Sequence, residues 1–181
     1  MAHDIKIGIT GLPGSGKTYV LLKVIEMLGD SDLHIGGMIN EPIDDGRRKT
    51  GCSVRNLVTG ETEVFASTEI ESRIMVGKLG VDIEALEKVG VNAIRRACED
   101  CDIIVIDEVG KLEVECPAFI EAVKEALDAG KPMIITLHKK SRNPLLQDIR
   151  RRDDVRILEV TPTNRNLLPY KIMHLMSGED N

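Results

Sequence analysis

The sequence predicts an α/β protein with a mostly parallel sheet, and three observations predict it. Short aliphatic runs alternate with amphipathic stretches along the chain, the pattern of strands joined through helices. The run Ile103-Ile104-Val105-Ile106 is apolar on both faces, as a strand covered on both sides of a sheet must be. A glycine-rich segment, Gly11 to Gly16, stands between the first aliphatic run and the first amphipathic stretch. It reads as a tight strand-to-helix turn.

Each element has its own signal. Ile5 to Thr10 is the first strand, and Lys17 to Leu28 a helix stopped by Gly29. Ile35 to Ile39 is a second strand. Lys49 to Val58 and Glu61 to Ala66 flank Thr59-Gly60 and predict a hairpin. Asp82 suits the cap of a helix running to about Ala97, with Leu86, Val89, Ala93 and Ala97 on one face and Gly90 interrupting it. Asp102 to Asp107 is the most apolar strand. Pro117 suits the first turn of the next helix and Gly130 its stop, with Phe119, Ile120, Val123 and Leu127 as the apolar stripe. Met133 to Leu137 is another strand, and Asn143-Pro144 opens a short helix to about Arg152. Val155 to Val160 is the last strand, and Asn166 to Met176 a terminal helix with Pro169 in its first turn. The second strand and the hairpin break strict alternation, so a mixed sheet is expected. No linker divides the chain, which predicts one domain over residues 1–181.

Composition narrows the function. At 42% hydrophobic and 30% charged residues, the chain is ordinary for a globular protein. Its aliphatic runs fall far short of the ~20 residues a membrane span needs. A net charge of −6, with two Tyr, two Phe and no Trp, argues against nucleic acid as a partner, which wants a basic footprint and stacking aromatics. Met1-Ala2-His3-Asp4 lacks the charged and apolar regions of a secretory leader. A cytoplasmic protein is expected, with Cys52, Cys98, Cys101 and Cys116 reduced. Cys98-x-x-Cys101 has no second pair, which favours packing over zinc. A monomer is expected.

Two segments carry chemistry. Gly11-Leu12-Pro13-Gly14-Ser15-Gly16-Lys17-Thr18 fits G-x-x-x-x-G-K-[ST]. Its glycines let successive backbone N–H groups converge on an anion, and the following helix adds the positive end of its dipole. Lys17 can reach the β- and γ-phosphates of a nucleotide, and Thr18 can ligate Mg. The second segment is the strand ending in Asp107-Glu108. In P-loop proteins Asp107 would hold Mg opposite Thr18, and Glu108 could polarise a water for attack on the γ-phosphate.

The single glutamate after the Mg-binding aspartate resembles the P-loop branch with a three-layer α/β/α fold and an extra strand between the loop strand and the aspartate strand. That resemblance inserts Met133 to Leu137 between them and sets His138 near the γ-phosphate as a sensor; a solvated loop histidine is the alternative. Asp107-Glu108-Val109-Gly110-Lys111-Leu112-Glu113 further resembles the D-E-[IV]-G-K-[ML]-E segment of the small nucleoside-triphosphatases of archaea and thermophilic bacteria, which have a human cancer-related relative. Thr10 to Thr18 resembles the family's T-G-x-P-G-x-G-K-T. Gly36-Gly37-Met38 and the Gly46 to Gly51 run resemble its second strand and hairpin. Pro144 to Leu158 and Thr161-Pro162-Thr163-Asn164-Arg165 resemble its C-terminal segments. Tyr19 replaces a usual Thr, and Met38 and Asn40 replace Phe and Thr in G-F-x-T-x-E.

The resemblance implies hydrolysis of ATP, GTP and other nucleoside triphosphates with Mg, with Asp107, Glu108, Val109, Gly110 and Lys111 beside the nucleotide. Asn164 and Arg165 are candidates for base or ribose contact, with a turn as the alternative. Arg150, Arg151 and Arg152 are candidates for a lid over the phosphates, or simply cations at a helix C-terminus. The guanine-reading Asn-Lys-x-Asp is absent, so loose base selectivity is expected. Two other readings use the same site: a nucleotide or nucleic-acid kinase, with Glu108 as base for a hydroxyl acceptor, and a nucleotide-dependent switch.

Overall fold

The computed structural model describes residues 4–178. Met1 to His3, on which most of the leader expectation rests, and residues 179–181 lie outside them. The strands are β1 (Lys6–Gly11), β2 (Ile35–Asp44), β3 (Lys49–Asn56), β4 (Thr62–Ser67), β5 (Met75–Val76), β6 (Leu79–Val81), β7 (Ile103–Val109), β8 (Met133–His138) and β9 (Val155–Glu159). They form one sheet in the order β5-β6-β4-β3-β2-β7-β8-β1-β9. From β2 to β9 neighbours run parallel. From β2 outward through β3, β4, β6 and β5 they run antiparallel. β8 lies between β1 and β7, the extra strand that the resemblance implies.

Among the described residues six α-helices flank the sheet: α1 (Lys17–Leu28), α2 (Ile83–Ala85), α3 (Asn92–Asp100), α4 (Pro117–Leu127), α5 (Pro144–Arg151) and α6 (Leu168–Ser177). α1 and α6 bury Val20, Leu21, Val24, Leu168 and Ile172 on one face, against Ile7, Ile9, Ile103, Val105 and Ile134. α3, α4 and α5 cover the other face, over Ile104, Ile106, Val109, Ile135 and Leu137. Strand periodicity divides the β7 run in this way, Ile103 and Val105 to one side and Ile104 and Ile106 to the other. All four are fully buried. At about 1.5–3 kcal/mol each, they contribute roughly as much as the net stability of a typical domain. Burial therefore sets the central place of β7.

Three expectations change. β2 continues five residues beyond Ile39 to Asp44, pairing parallel with β7 through Ile39 and antiparallel with β3 from Met38 onward. A second small hairpin, β5–β6, turns at Gly77 (φ +60°). The helix capped by Asp82, whose carboxylate accepts the Ala85 N–H, is not one regular α-helix. Between α2 and α3 it passes through a π turn, Leu86–Val91. The extra residue in that wider turn allows Leu86, Val89 and Val91 all to be buried. Gly90 lies against the sheet there, where a Cβ would come within 3.1 Å of Met38 Sδ and 3.2 Å of Val54 Cγ2.

Candidate functional site

Parallel strands deliver their C-terminal ends to one edge of the sheet, and there the two sequence motifs meet. The loop after β1 turns through Gly14 at φ +78° and Gly16 at φ +104°, conformations that cost a glycine little. At Gly11 a Cβ would clash with the Ser15 hydroxyl and come within 2.9 Å of the Val160 carbonyl. Gly16 caps α1 without a side-chain bond, so the first-turn N–H groups stay available to an anion. β8 pairs with β1 in a register that sets His138 opposite Gly11, which brings His138 to the loop.

The carboxylates lie within β7 itself rather than beyond its end. Asp107 is buried, accepts the Thr136 hydroxyl at 2.6 Å and faces the Thr18 hydroxyl at 3.4 Å. Burial raises its carboxyl to about 6, against the opposing hydrogen bond from Thr136. Lys17 Nζ stands 3.2 Å from Glu108 Oε2 and 3.4 Å from the Leu137 carbonyl. Burial lowers the His138 imidazole, so it stays neutral more readily. A hydroxyl and a buried carboxylate converging from two elements are hard oxygen donors, the kind that suits Mg; Thr18 and Asp107 fit that group.

Sequence reasoning passed over three residues here. Thr136, the polar member of the β8 run, orients Asp107; its position inside an apolar strand was the available signal. Glu113 closes the family-like segment and is buried, where it accepts the Gly110 N–H at 3.1 Å and the Asn40 amide. Burial and the nearby Glu108 charge push its carboxyl up to about 8. Asn40 appeared only as a substitution in a pattern. Its Oδ1 is buried without a hydrogen-bond partner among the described residues.

The outlying candidates separate. Lys111 is exposed on the segment after β7, beside a cavity that also meets Thr18, Asp107 and Glu108. Arg165 reaches the glycine-rich loop after β1, its Cδ 3.2 Å from where a Gly16 Cβ would stand. Asn164 is corrected to a turn residue. Its Oδ1 accepts the Thr161 N–H at 2.8 Å and its Nδ2 donates to the Glu159 carbonyl at 2.8 Å, which commits the amide to the backbone. Arg150 donates to the carbonyls of His138, Lys139 and Ser141, fixing the loop after β8 rather than closing over phosphates. Arg151 is exposed and meets Gln147. Arg152 pairs with Asp128 and Asp154 at the opposite edge of the sheet, which excludes the lid alternative for it.

Known proteins resemble the whole arrangement. The family model described as NTPase matches residues 6–173. The chain is 42% identical over 176 residues to nucleoside-triphosphatase THEP1 of Thermoplasma volcanium, spanning 97% of this chain and 99% of that one. It is 43% identical over 169 residues to the Methanosarcina barkeri THEP1, spanning 93% and 95%. Among solved structures, THEP1 from Aquifex aeolicus superposes with a TM-score of 0.83 at 30% identity, covering 94% of this chain and 98% of that one. A human cancer-related nucleoside triphosphatase gives 0.81 at 30% identity, covering 98% and 100%. With its loop, carboxylates and inserted strand in place, the chain belongs to this NTPase family, whose curated members are named nucleoside-triphosphatases.

Proposed function

We propose that the protein hydrolyses ATP, GTP and other nucleoside triphosphates to the diphosphate and phosphate, with Mg bound by Thr18 and Asp107. The observation that carries this reading is the Lys17–Glu108 pair, 3.2 Å apart between the phosphate loop and the end of β7. The incoming γ-phosphate competes for Lys17. As Lys17 turns to the β- and γ-oxygens, Glu108 is left to orient a water and take its proton. The loop N–H groups hold the phosphates, and Thr136 keeps Asp107 in place. When bound, Mg supplies positive charge against the phosphate oxygens. Catalysis is thus positioning and charge stabilisation without a covalent intermediate.

Loose base selectivity rests on the missing Asn-Lys-x-Asp motif, and the side of the loop away from Asp107 is consistent with it. Leu12, Pro13 and Gly14 line a shallow hollow there with Glu159 to Pro162, and the Asn164 amide is already engaged by backbone. The test is phosphate release from ATP, GTP, CTP and UTP with and without Mg. Comparable kcat/KM values and loss of turnover on chelation are expected. A thousandfold preference for one base, ~4 kcal/mol, overturns the selectivity reading, and full activity in chelator overturns the metal site.

A further inference from the structure

A cavity of about 290 Å³ opens beyond Glu108, on the side away from the hollow at the phosphate loop. β2, β3, the β5–β6 hairpin and the segment after β7 enclose it. A hydrolase needs room there for one water, and at about 30 Å³ each this space admits on the order of ten. None of Gly11 to Lys17 lines it, while Thr18, Asp107, Glu108 and His138 line the end nearest the loop, so a nucleotide held there with its Mg reaches that end and leaves free the part between Asn40, Pro42, Val76, Leu79 and Leu112.

Its chemistry is specific. Pro42, Val76, Leu79 and Leu112 give an apolar wall. Asn40, 8% exposed, contributes an Oδ1 that no described group hydrogen-bonds, and His138 contributes an equally unpartnered Nδ1. Lys49 and Lys111 stand against the carboxylates Asp107, Glu108 and Glu113 around it, and burial keeps Glu113 protonated, so two lysines face two charged carboxylates, which favours a ligand without net charge. An apolar surface, the buried Asn40 Oδ1 seeking a donor, a partnerless imidazole nitrogen and a carboxylate at one end suit a flat, donor-bearing molecule with a hydroxyl.

We propose that this cavity is a second substrate site, taking a neutral nucleoside as phosphoryl acceptor, with Asn40 as a binding residue and Glu108 as the base. The proposal rests on the triphosphate site described above. In the transfer, the acceptor hydroxyl oxygen bonds the γ-phosphorus as the bond from that phosphorus to the β,γ-bridging oxygen breaks. The diphosphate leaves with that electron pair, and the hydroxyl proton passes to the Glu108 carboxylate and on to water.

The experiment incubates the whole protein with Mg, ATP labelled at the γ-phosphate, and a panel of ribo- and deoxynucleosides and their monophosphates. At least one nucleoside is expected to carry label, with diphosphate formed tenfold or more faster than with water alone. Leu79→Trp, which fills the cavity, and Asn40→Ala should each raise that nucleoside's KM at least tenfold while the KM for ATP moves less than twofold. Label confined to inorganic phosphate with every nucleoside overturns the site and leaves hydrolysis standing. Preferential labelling of nucleoside monophosphates overturns the neutral acceptor, and equal losses for both substrates overturn a separate site. If no diphosphate forms under any condition, the hydrolase reading has failed, and calorimetric titration with the same nucleosides decides the cavity: no binding overturns it.

Discussion

The two edges of the parallel sheet are built on opposite principles. At the edge where strands begin, charges are matched. Lys6, nearly buried, pairs with Asp154 at 3.4 Å, and Arg152 bridges Asp154 and Asp128 while donating to the Leu127 carbonyl. Lys131 donates to the Cys101 carbonyl at 2.7 Å, and Asp102 accepts the His34 N–H at 2.8 Å. The Arg152 guanidinium holds the Asp154 carboxyl down to about 2. At the edge where strands end, Asp107 and Glu113 are raised to about 6 and about 8, and Thr10 Oγ1, Ser15 Oγ, Asn40 Oδ1 and His138 Nδ1 are buried without partners among the described residues. Buried polar groups left unmatched cost stability. Their concentration at one edge shows where the fold gives up stability to keep groups ready for ligands.

Breaking the ready edge should produce the largest effects. Lys17→Ala should reduce triphosphate turnover by 100-fold or more, the range for removing a charge-stabilising donor, with the circular dichroism spectrum unchanged. Turnover near the parent's in a folded variant sinks the phosphate-loop assignment. Glu108→Gln should lose about 100-fold in single-turnover hydrolysis and retain Mg-nucleotide affinity. Affinity that collapses together with turnover would reassign Glu108 to the metal site.

Glu113 tests the same edge through stability. Its carboxyl rises from the ordinary 4.5 to about 8 on burial, so between those values the folded chain keeps a proton that the unfolded chain has released. Stability then falls as pH rises through that window. Glu113→Gln has no charge to bury, and its amide can satisfy Asn40 after a flip. Its Tm relative to the parent should therefore rise from pH 5 to pH 9, by on the order of a few kcal/mol in stability; a pH-independent difference refutes the buried-proton account. The matched edge should respond least. Arg152→Ala removes a partner from two carboxylates that are already solvated, Asp154 at 46% and Asp128 at 74% exposed, and should cost about 1 kcal/mol or less, with hydrolysis unaltered. A loss of turnover would restore Arg152 to the site.

The contrast also explains what was legible in sequence. The loop from Gly11 to Thr18, the buried β7 run and the Asp82 cap are local signals: each depends on the conformations and periodicity of a few neighbouring residues, and each is found where its pattern sets it. Arg150, Arg151 and Arg152 show where that reasoning stops. Three adjacent arginines carry identical local information, yet one fixes the loop after β8, one reaches Gln147 and one crosses to the far edge of the sheet. Helical geometry turns Arg151 about 100° from Arg150, and Arg152, past the end of α5, leaves the helix in an extended conformation, so these neighbours in sequence face different parts of the molecule.

By itself, then, the sequence determined the α/β class, the order of its main elements and the glycine-rich turn between β1 and α1, because backbone preference and hydrophobic period are written into contiguous residues. Only the tertiary structure decided that Glu113 from beyond β7 meets Asn40 from β2, that Thr136 underlies Asp107, and that a cavity opens beside Glu108. These groups come from strands far apart in the chain, and no local pattern encodes a meeting that sheet order and register alone bring about.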